Sequence, residues 1–231
     1  MKSSQNLWRL AALVSLAFLA IGLGFGRIEG LHACGLAQDP IMAFEFVTSP
    51  TDVAAQFPAH CRDAAVAAQR RGLWLDIIGF VAAYSVLLIL VLMALARENL
   101  AARRMTRVVI ALVVIAACAD QFENSRLLAI LGNLPGDQAT IDQLISAVRI
   151  KFGLLSMAET EIGLLHMRQP GWRKLAGGVI MLGGMLGLYG LLVSPGQGLL
   201  GGLVAFLAII VSSWILAFRR AVPEQGAAAQ A

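Results

Sequence analysis

Asp120, Glu123 and Asn124 stand at spacing i, i+3, i+4 inside a run, 108–131, that is otherwise mostly apolar. On a helix this spacing places all three polar groups on one face. A run of that length and composition suits a membrane span, where ionisable groups are costly and need a partner or a polar cavity. Two other apolar runs carry matching groups: 73–96 holds Asp76 and Tyr84, and 144–167 holds Arg149 and Lys151. Counted inward from the outer helix ends at ~1.5 Å per residue, Asp76 lies about 6 Å deep, Arg149 about 9 Å, Glu123 and Lys151 about 12 Å, and Asp120 about 16 Å. Arg149 and Lys151 are roughly 200° apart around a helix, so they cannot face the same neighbour. The expectation is that Lys151 faces Asp120 and Glu123, while Arg149 and Arg126 snorkel to the outer interface. Asp76 shares its face with Gly79 and Ala83, which permits close approach of another helix, and Tyr84 extends the polar set.

Three readings of Asp76, Tyr84, Asp120, Glu123, Asn124 and Lys151 stand open at this point. The first is a neutralised network that fixes helix register. The second is an outward-facing pocket for a small polar ligand or lipid headgroup. The third is acid/base catalysis on a lipid, with Glu123 or Asp120 as general base and Lys151 stabilising negative charge. No catalytic residue is assigned, because G-x-S-x-G, zinc-protease, paired-aspartate phosphotransferase and histidine-rich hydroxylase patterns are missing, as is a P-loop. His32, His60 and His166 lack metal-ligand spacing, so neither a metal site nor a cofactor is expected. Glu159 and His166 share a face of the fourth run and read as an interfacial histidine with a partly solvated acid.

The elements that must position these groups follow from composition. With 58% hydrophobic and 14% charged residues in 231 and a mean hydropathy of +0.76, the chain has too little polar surface for a soluble globule. Its net charge of +4 sits in short basic clusters between apolar runs, a membrane-loop pattern rather than a nucleic-acid one. Six runs approach the roughly 20 residues that cross a bilayer: 7–25, 73–96, 108–131, 144–167, 175–193 and 199–218. The fourth is the weakest, interrupted by Arg149, Lys151, Glu159 and Glu161. The expected fold is an all-α integral membrane bundle of about six transmembrane helices. Lys2, Arg9, Arg97, Arg103, Arg104, Arg107, Arg168, Arg173, Lys174, Arg219 and Arg220 are eleven of the eighteen basic residues, and they fall at one end. The positive-inside rule makes that end cytoplasmic, with both termini inside and the chain multi-pass in a bacterial inner membrane. The expected divisions are a first span (1–26), a periplasmic segment with short helices (27–71), a charged three-helix core (72–167), and a glycine-rich hairpin with a cytoplasmic tail (168–231). The first span resembles a signal peptide but lacks a close cleavage site, and is read as uncleaved.

In the periplasmic segment, Ser49-Pro50-Thr51-Asp52 combines a capping serine, proline at the first helical position and an early acid, so a short helix starts there. Phe57-Pro58 ends it, and a helix from His60 leads into the second span. Ile41 to Phe46 is apolar enough to lie on the membrane or cap the bundle. Cys34 and Cys61 lie in this segment and could close a loop in an oxidising compartment, worth roughly 2 to 4 kcal/mol; sequence leaves their bonding open. Cys118 reads as small-residue packing. The pairs Gly22/Gly26, Gly183/Gly187 and Gly198/Gly202 match G-x-x-x-G and favour packing within the bundle, with a homo-oligomer as an alternative use. The expected partners are membrane lipids and a small polar ligand, not nucleic acid.

Phe44-Glu45-Phe46 with the Ser49 helix, Leu75-Asp76 followed by Tyr84, Ala119-Asp120-x-x-Glu123-Asn124, and Lys151-Phe152 together resemble a family of small uncharacterised bacterial polytopic membrane proteins. The resemblance spans about 41–155, and Asp-x-x-Glu-Asn is its most specific element. It implies an architecture and no reaction.

Overall fold

A computed structural model describes residues 2–35, 39–193 and 195–219. Arg220 and the tail 221–231, expected at the basic end, lie outside the described residues. Among the described residues the chain is all-helical, with no strand. The long helices are α1 (Lys2–Phe25), α4 (Arg62–Leu75) running into α5 (Val81–Glu98), α6 (Arg103–Gly132), α7 (Gln138–Met167), α8 (Arg173–Val193) and α9 (Pro195–Phe218). Two short helices, α2 (Pro40–Glu45) and α3 (Pro50–Gln56), lie in the segment between α1 and α4.

Five stretches are helical, long and apolar enough to cross a membrane: Ser4–Phe25, Arg62–Glu98, Leu100–Gly132, Arg173–Val193 and Gly198–Phe218. The fourth run, α7, does not reach that apolarity, but its 30 residues match α6 in length. It packs between α6 and α8, and it completes a ring in the order α1, α5, α6, α7, α8, α9, with α9 returning to α1. Large apolar side chains such as Leu13, Ile115, Leu182 and Val211 are exposed, as lipid contact requires.

One end of the ring gathers the basic loops and both ends of the described chain. Gln5 Nε2 donates to the Arg219 carbonyl at 3.0 Å, and Arg173 Nη1 bonds Glu98 at 2.7 Å, as does Trp8 Nε1. The half above them is filled by Leu87, Leu88, Val91, Leu92 and Ile162, all fully buried.

The other end is capped. Asp39 accepts from the Met42 amide and Pro40 opens α2; Ser49 accepts from the Asp52 amide and Pro50 opens α3. These caps satisfy amides that a helix start otherwise leaves unpaired. Phe44 and Phe57 meet edge to face at 5.2 Å, and both join a buried cluster with Leu127, Ile130, Ile141 and Leu144 of α6 and α7. Cys34 and Cys61 are joined in a disulfide that ties the chain before α2 to the start of α4. The segment therefore caps the bundle, the second of the two placements its sequence allowed.

Close approach of the last three helices depends on glycine. A Cβ on Gly184 of α8 would lie 2.6 Å from Thr160 Oγ1 and 2.7 Å from the Ser156 carbonyl, and one on Gly183 would lie 2.7 Å from the Gly201 carbonyl of α9. The first glycine pair behaves otherwise: a Cβ on Gly22 would meet nothing within 4 Å. Cys118 is exposed on the outer surface of α6 rather than packed.

Candidate functional site

The charged face of α6 meets its partners at the capped end. Lys151 Nζ donates to Glu123 Oε1 at 2.7 Å, to Glu45 Oε2 at 3.0 Å and to Asp120 Oδ1 at 3.5 Å. An ammonium has three protons, so this set uses its full donor capacity. The expected pairing of Lys151 with Asp120 and Glu123 is present, and Glu45 is a third partner that helical spacing alone does not indicate. Glu45 reaches Lys151 because Phe44, fully buried, anchors α2 over the ends of α6 and α7. Burial pushes the Glu45 carboxyl above its ordinary range, and the Lys151 ammonium opposes that rise.

A second tier extends the network. Tyr84 Oη donates to Asp120 Oδ2 at 2.9 Å, and Asn124 Nδ2 donates to Asp76 Oδ2 at 2.5 Å and to Asp120 Oδ1 at 3.5 Å. Asp76 sits at the start of a π-helical turn, Asp76–Phe80, between α4 and α5. Such wide turns recur at functional sites. Gln121 Nε2 donates to the Ile77 carbonyl within the turn at 2.9 Å, tying it to α6. Gly79 lies in the same turn, where a Cβ would come within 3.2 Å of Ile21 of α1, so the close approach expected on this face is made by α1. Asp120, Glu123, Asn124 and Lys151 are each at most 5% exposed.

Beside the network lies a cavity of about 610 Å³. Asp76, Tyr84, Asp120 and Lys151 line it together with Glu45. Glu123 and Asn124 are not among its lining residues; they hold Lys151, Asp120 and Asp76 from behind. The remaining wall is largely apolar and comes from α1, α2, the π-turn, α7, α8 and α9, with Phe18, Phe80, Leu155, Leu203 and Phe206 among its members. Gly22 also lines it. The cavity thus has a charged wall under the α2 cap and an apolar body between helices.

Arg149 is exposed, as expected for a snorkelling side chain. Arg126 is half-buried: it bonds Gln143 at 3.0 Å and lies over the Phe122 ring. The Glu159 and His166 reading needs correction, because both are buried, at 2% and 0% exposure. Glu159 is not a partly solvated acid; its carboxyl lines the cavity and faces Gly202 of α9. His166 lies against Trp8, with ring centroids 5.9 Å apart, at the basic end. Among the described residues no group of three or more His, Cys, Asp or Glu side chains is arranged to hold a metal ion.

No protein-family model, curated protein or solved structure matches the chain.

Proposed function

We propose that this is a membrane-embedded binding protein whose ligand is amphipathic, its polar group at the Lys151 cluster and its chain in the apolar body of the cavity. The observation that carries the reading is the cavity itself: about 610 Å³, inside the roughly 300–1,000 Å³ of ordinary small-molecule sites. One wall holds Asp76, Asp120, Glu45 and Lys151, and the rest is mostly apolar. A register-fixing network needs no such space beside it. An acid/base reaction retains only Asp120 of its two candidate bases at the cavity wall, since Glu123 stands behind Lys151.

The reading includes orientation and setting. The basic end faces the cytoplasm of a bacterial inner membrane and the capped end faces the periplasm, by the positive-inside rule. A ligand then enters at the outer leaflet or the periplasm and meets the charged wall below α2. The resemblance of 41–155 to small bacterial polytopic membrane proteins belongs to the same proposal.

Gly22→Leu tests it, because Gly22 lines the cavity and a new side chain there starts in open space. Leucine also has a better helix propensity than glycine, so folding is expected to be preserved. Wild type and variant are purified in dodecyl maltoside and their bound amphiphiles are measured by native mass spectrometry and lipid extraction. Wild type should carry a stoichiometric amphiphile that the variant lacks, while the two proteins keep the same helical circular-dichroism spectrum. Equal content in the two proteins overturns the proposal.

A further inference from the structure

Among the described residues, six ionisable side chains other than Tyr84 line the cavity: Asp39, Glu45, Asp76, Asp120, Glu159 and Lys151. Five are carboxyls and one is an ammonium. Lys151 already uses its donor capacity on Glu123, Glu45 and Asp120, so it has no proton left for an incoming anionic group. Unused hydrogen-bonding capacity has the same sign. Glu159 lines the cavity, and its Oε2, like Glu123 Oε2 behind the wall, is buried without a hydrogen-bond partner. A carboxylate oxygen can only accept. Among the described lining residues no cationic donor is left free to meet these oxygens in their ionised form.

Glu159 makes this more than an acidic cluster. It is 2% exposed, and it lies eight residues past Lys151 on α7, about 12 Å along the helix and away from the capped end. A carboxylate unpaired at that depth is costly unless it takes up a proton or meets a cationic group entering the cavity.

A second observation is aromatic. Phe18 of α1, Phe80 of the π-turn, Tyr84 of α5 and Phe206 of α9 form one continuous wall of the cavity. Phe18 lies 4.7 Å from Phe80 and 5.1 Å from Phe206, and Tyr84 lies 6.0 Å from Phe80 and 6.5 Å from Phe206, centroid to centroid. Its Tyr84 end bonds Asp120. Aromatic faces attract ammonium groups and repel anions.

We infer that the cavity selects a cationic amphiphile, an apolar chain headed by an ammonium group, over anionic ones. This rests on the binding reading proposed above and names the class of ligand. The ammonium lies between the aromatic wall and the Asp76 and Asp120 carboxyls or, in a ligand with a further donor group, also meets Glu159. A lipid-borne ammonium and a free lipophilic amine share this chemistry.

The probes are dodecylamine, which is an ammonium at neutral pH, and dodecanoate, which has a chain of the same carbon number and the opposite charge. Binding to the full-length protein in dodecyl maltoside is followed by thermal unfolding midpoint and native mass spectrometry. Dodecylamine should bind at least about tenfold more tightly than dodecanoate, a decade in Kd. In Asp76→Asn and in Glu159→Gln the preference should shrink to about threefold or less. Glu159→Gln guards against misfolding of the first variant, because the Glu159 Oε2 atom has no bond to lose. Displacement of dodecylamine by a short-chain phosphatidylethanolamine assigns the ammonium to a lipid headgroup, and failure to displace it assigns a free amine. Equal or tighter binding of dodecanoate overturns the charge selectivity while leaving the binding reading intact. If neither probe binds, and Gly22→Leu carries the same amphiphiles as wild type, the binding reading itself fails and the selectivity with it.

Discussion

Replacing Lys151 by methionine removes one ammonium from three carboxyls at once. Its Nζ lies 2.7 Å from Glu123, 3.0 Å from Glu45 and 3.5 Å from Asp120, with side chains that are 11% exposed or less. Methionine keeps much of the stem volume, so lost packing contributes little. Breaking one buried pair by deleting a partner costs about 3–5 kcal/mol, since the remaining charge is left uncompensated. Because three carboxyls lose the same partner, Lys151→Met should fall at the upper end, near 5 kcal/mol. Glu45→Gln should cost less, roughly 1–3 kcal/mol, because Lys151 keeps Glu123 and Asp120 and only one charged hydrogen bond is weakened. Adding Glu123→Gln to Lys151→Met removes the carboxylate closest to the missing ammonium and should recover about 1–2 kcal/mol of the loss. The measurement is unfolding in mixed dodecyl maltoside and dodecyl sulfate micelles, followed by circular dichroism, for both single variants and the double. If the double variant equals the sum of the singles to within about 0.5 kcal/mol, the two side chains are not coupled, and the packing of α7 against α6 is wrong.

Four further outcomes follow from particular contacts. Substituting Cys34 and Cys61 by alanine opens a bridge with a sequence separation of 27 residues and should lower stability by roughly 2–4 kcal/mol in the same assay; an unchanged midpoint refutes a stabilising role. Gly184→Ala should destabilise by about 1–3 kcal/mol or more because its Cβ meets α7 backbone and Thr160, whereas Gly178→Ala, with nothing within 4 Å, should be neutral or stabilising by up to about 1 kcal/mol; similar effects at both sites refute the close approach. The Asp52 carboxyl is held below its ordinary range by hydrogen bonds from the Thr48 hydroxyl and amide, so its contribution is present above about pH 4 and lost as pH falls through the depressed folded value; an Asp52 carbon resonance titrating at or above the unfolded value refutes it. Thr51→Cys should react with an impermeant maleimide added from the periplasm, and reaction only after permeabilisation reverses the proposed orientation.

The helical framework was legible because apolar run length and basic loops are direct consequences of a hydrocarbon environment. The Asp120, Glu123 and Asn124 face, and its pairing with Lys151, followed from helical spacing and depth alone. Glu45 was missed as a partner because an acid in a short segment outside the apolar runs carries no visible cost. Only the docking of Phe44 on α6 and α7 brings it over Lys151. The π-turn at Asp76–Phe80 has no local sequence signature, since Gly79 and its neighbours read equally well as ordinary helix. Spacing along one helix does not reveal a cavity formed with α8 and α9, so Glu159 reads from sequence as a partly solvated acid although it is buried. Gly22 fits G-x-x-x-G as well as Gly183 does, yet one lines empty space and the other contacts α9; the motif describes what a helix permits, not what is placed against it.

The weak apolarity of α7 and the location of the cavity have a common origin. The charges that keep α7 from resembling an independent span are stabilised by neighbours: Lys151 by α6 and α2, with Glu159 left at the cavity wall. Lys151 of α7 consequently connects the cap helix α2 and the span α6. Through Asp120, Tyr84 and Asn124 it also reaches α5 and the π-turn. In the proposed reading, a cation placed beside Asp120 competes with Lys151 for that carboxyl and changes the charge balance at the Lys151–Glu45 contact. The proposed binding and the seating of the α2 cap would then be linked through shared charge, and linkage is reciprocal. A variant that loosens α2 without touching the cavity wall, such as Phe57→Ala behind Phe44, should change ligand affinity by at most the factor by which the ligand changes cap closure. Hydrogen exchange of the α2 amides, with and without dodecylamine, measures that factor directly. Identical protection in both states would mean that the cap and the cavity are independent, and that Glu45 holds Lys151 only as a structural partner.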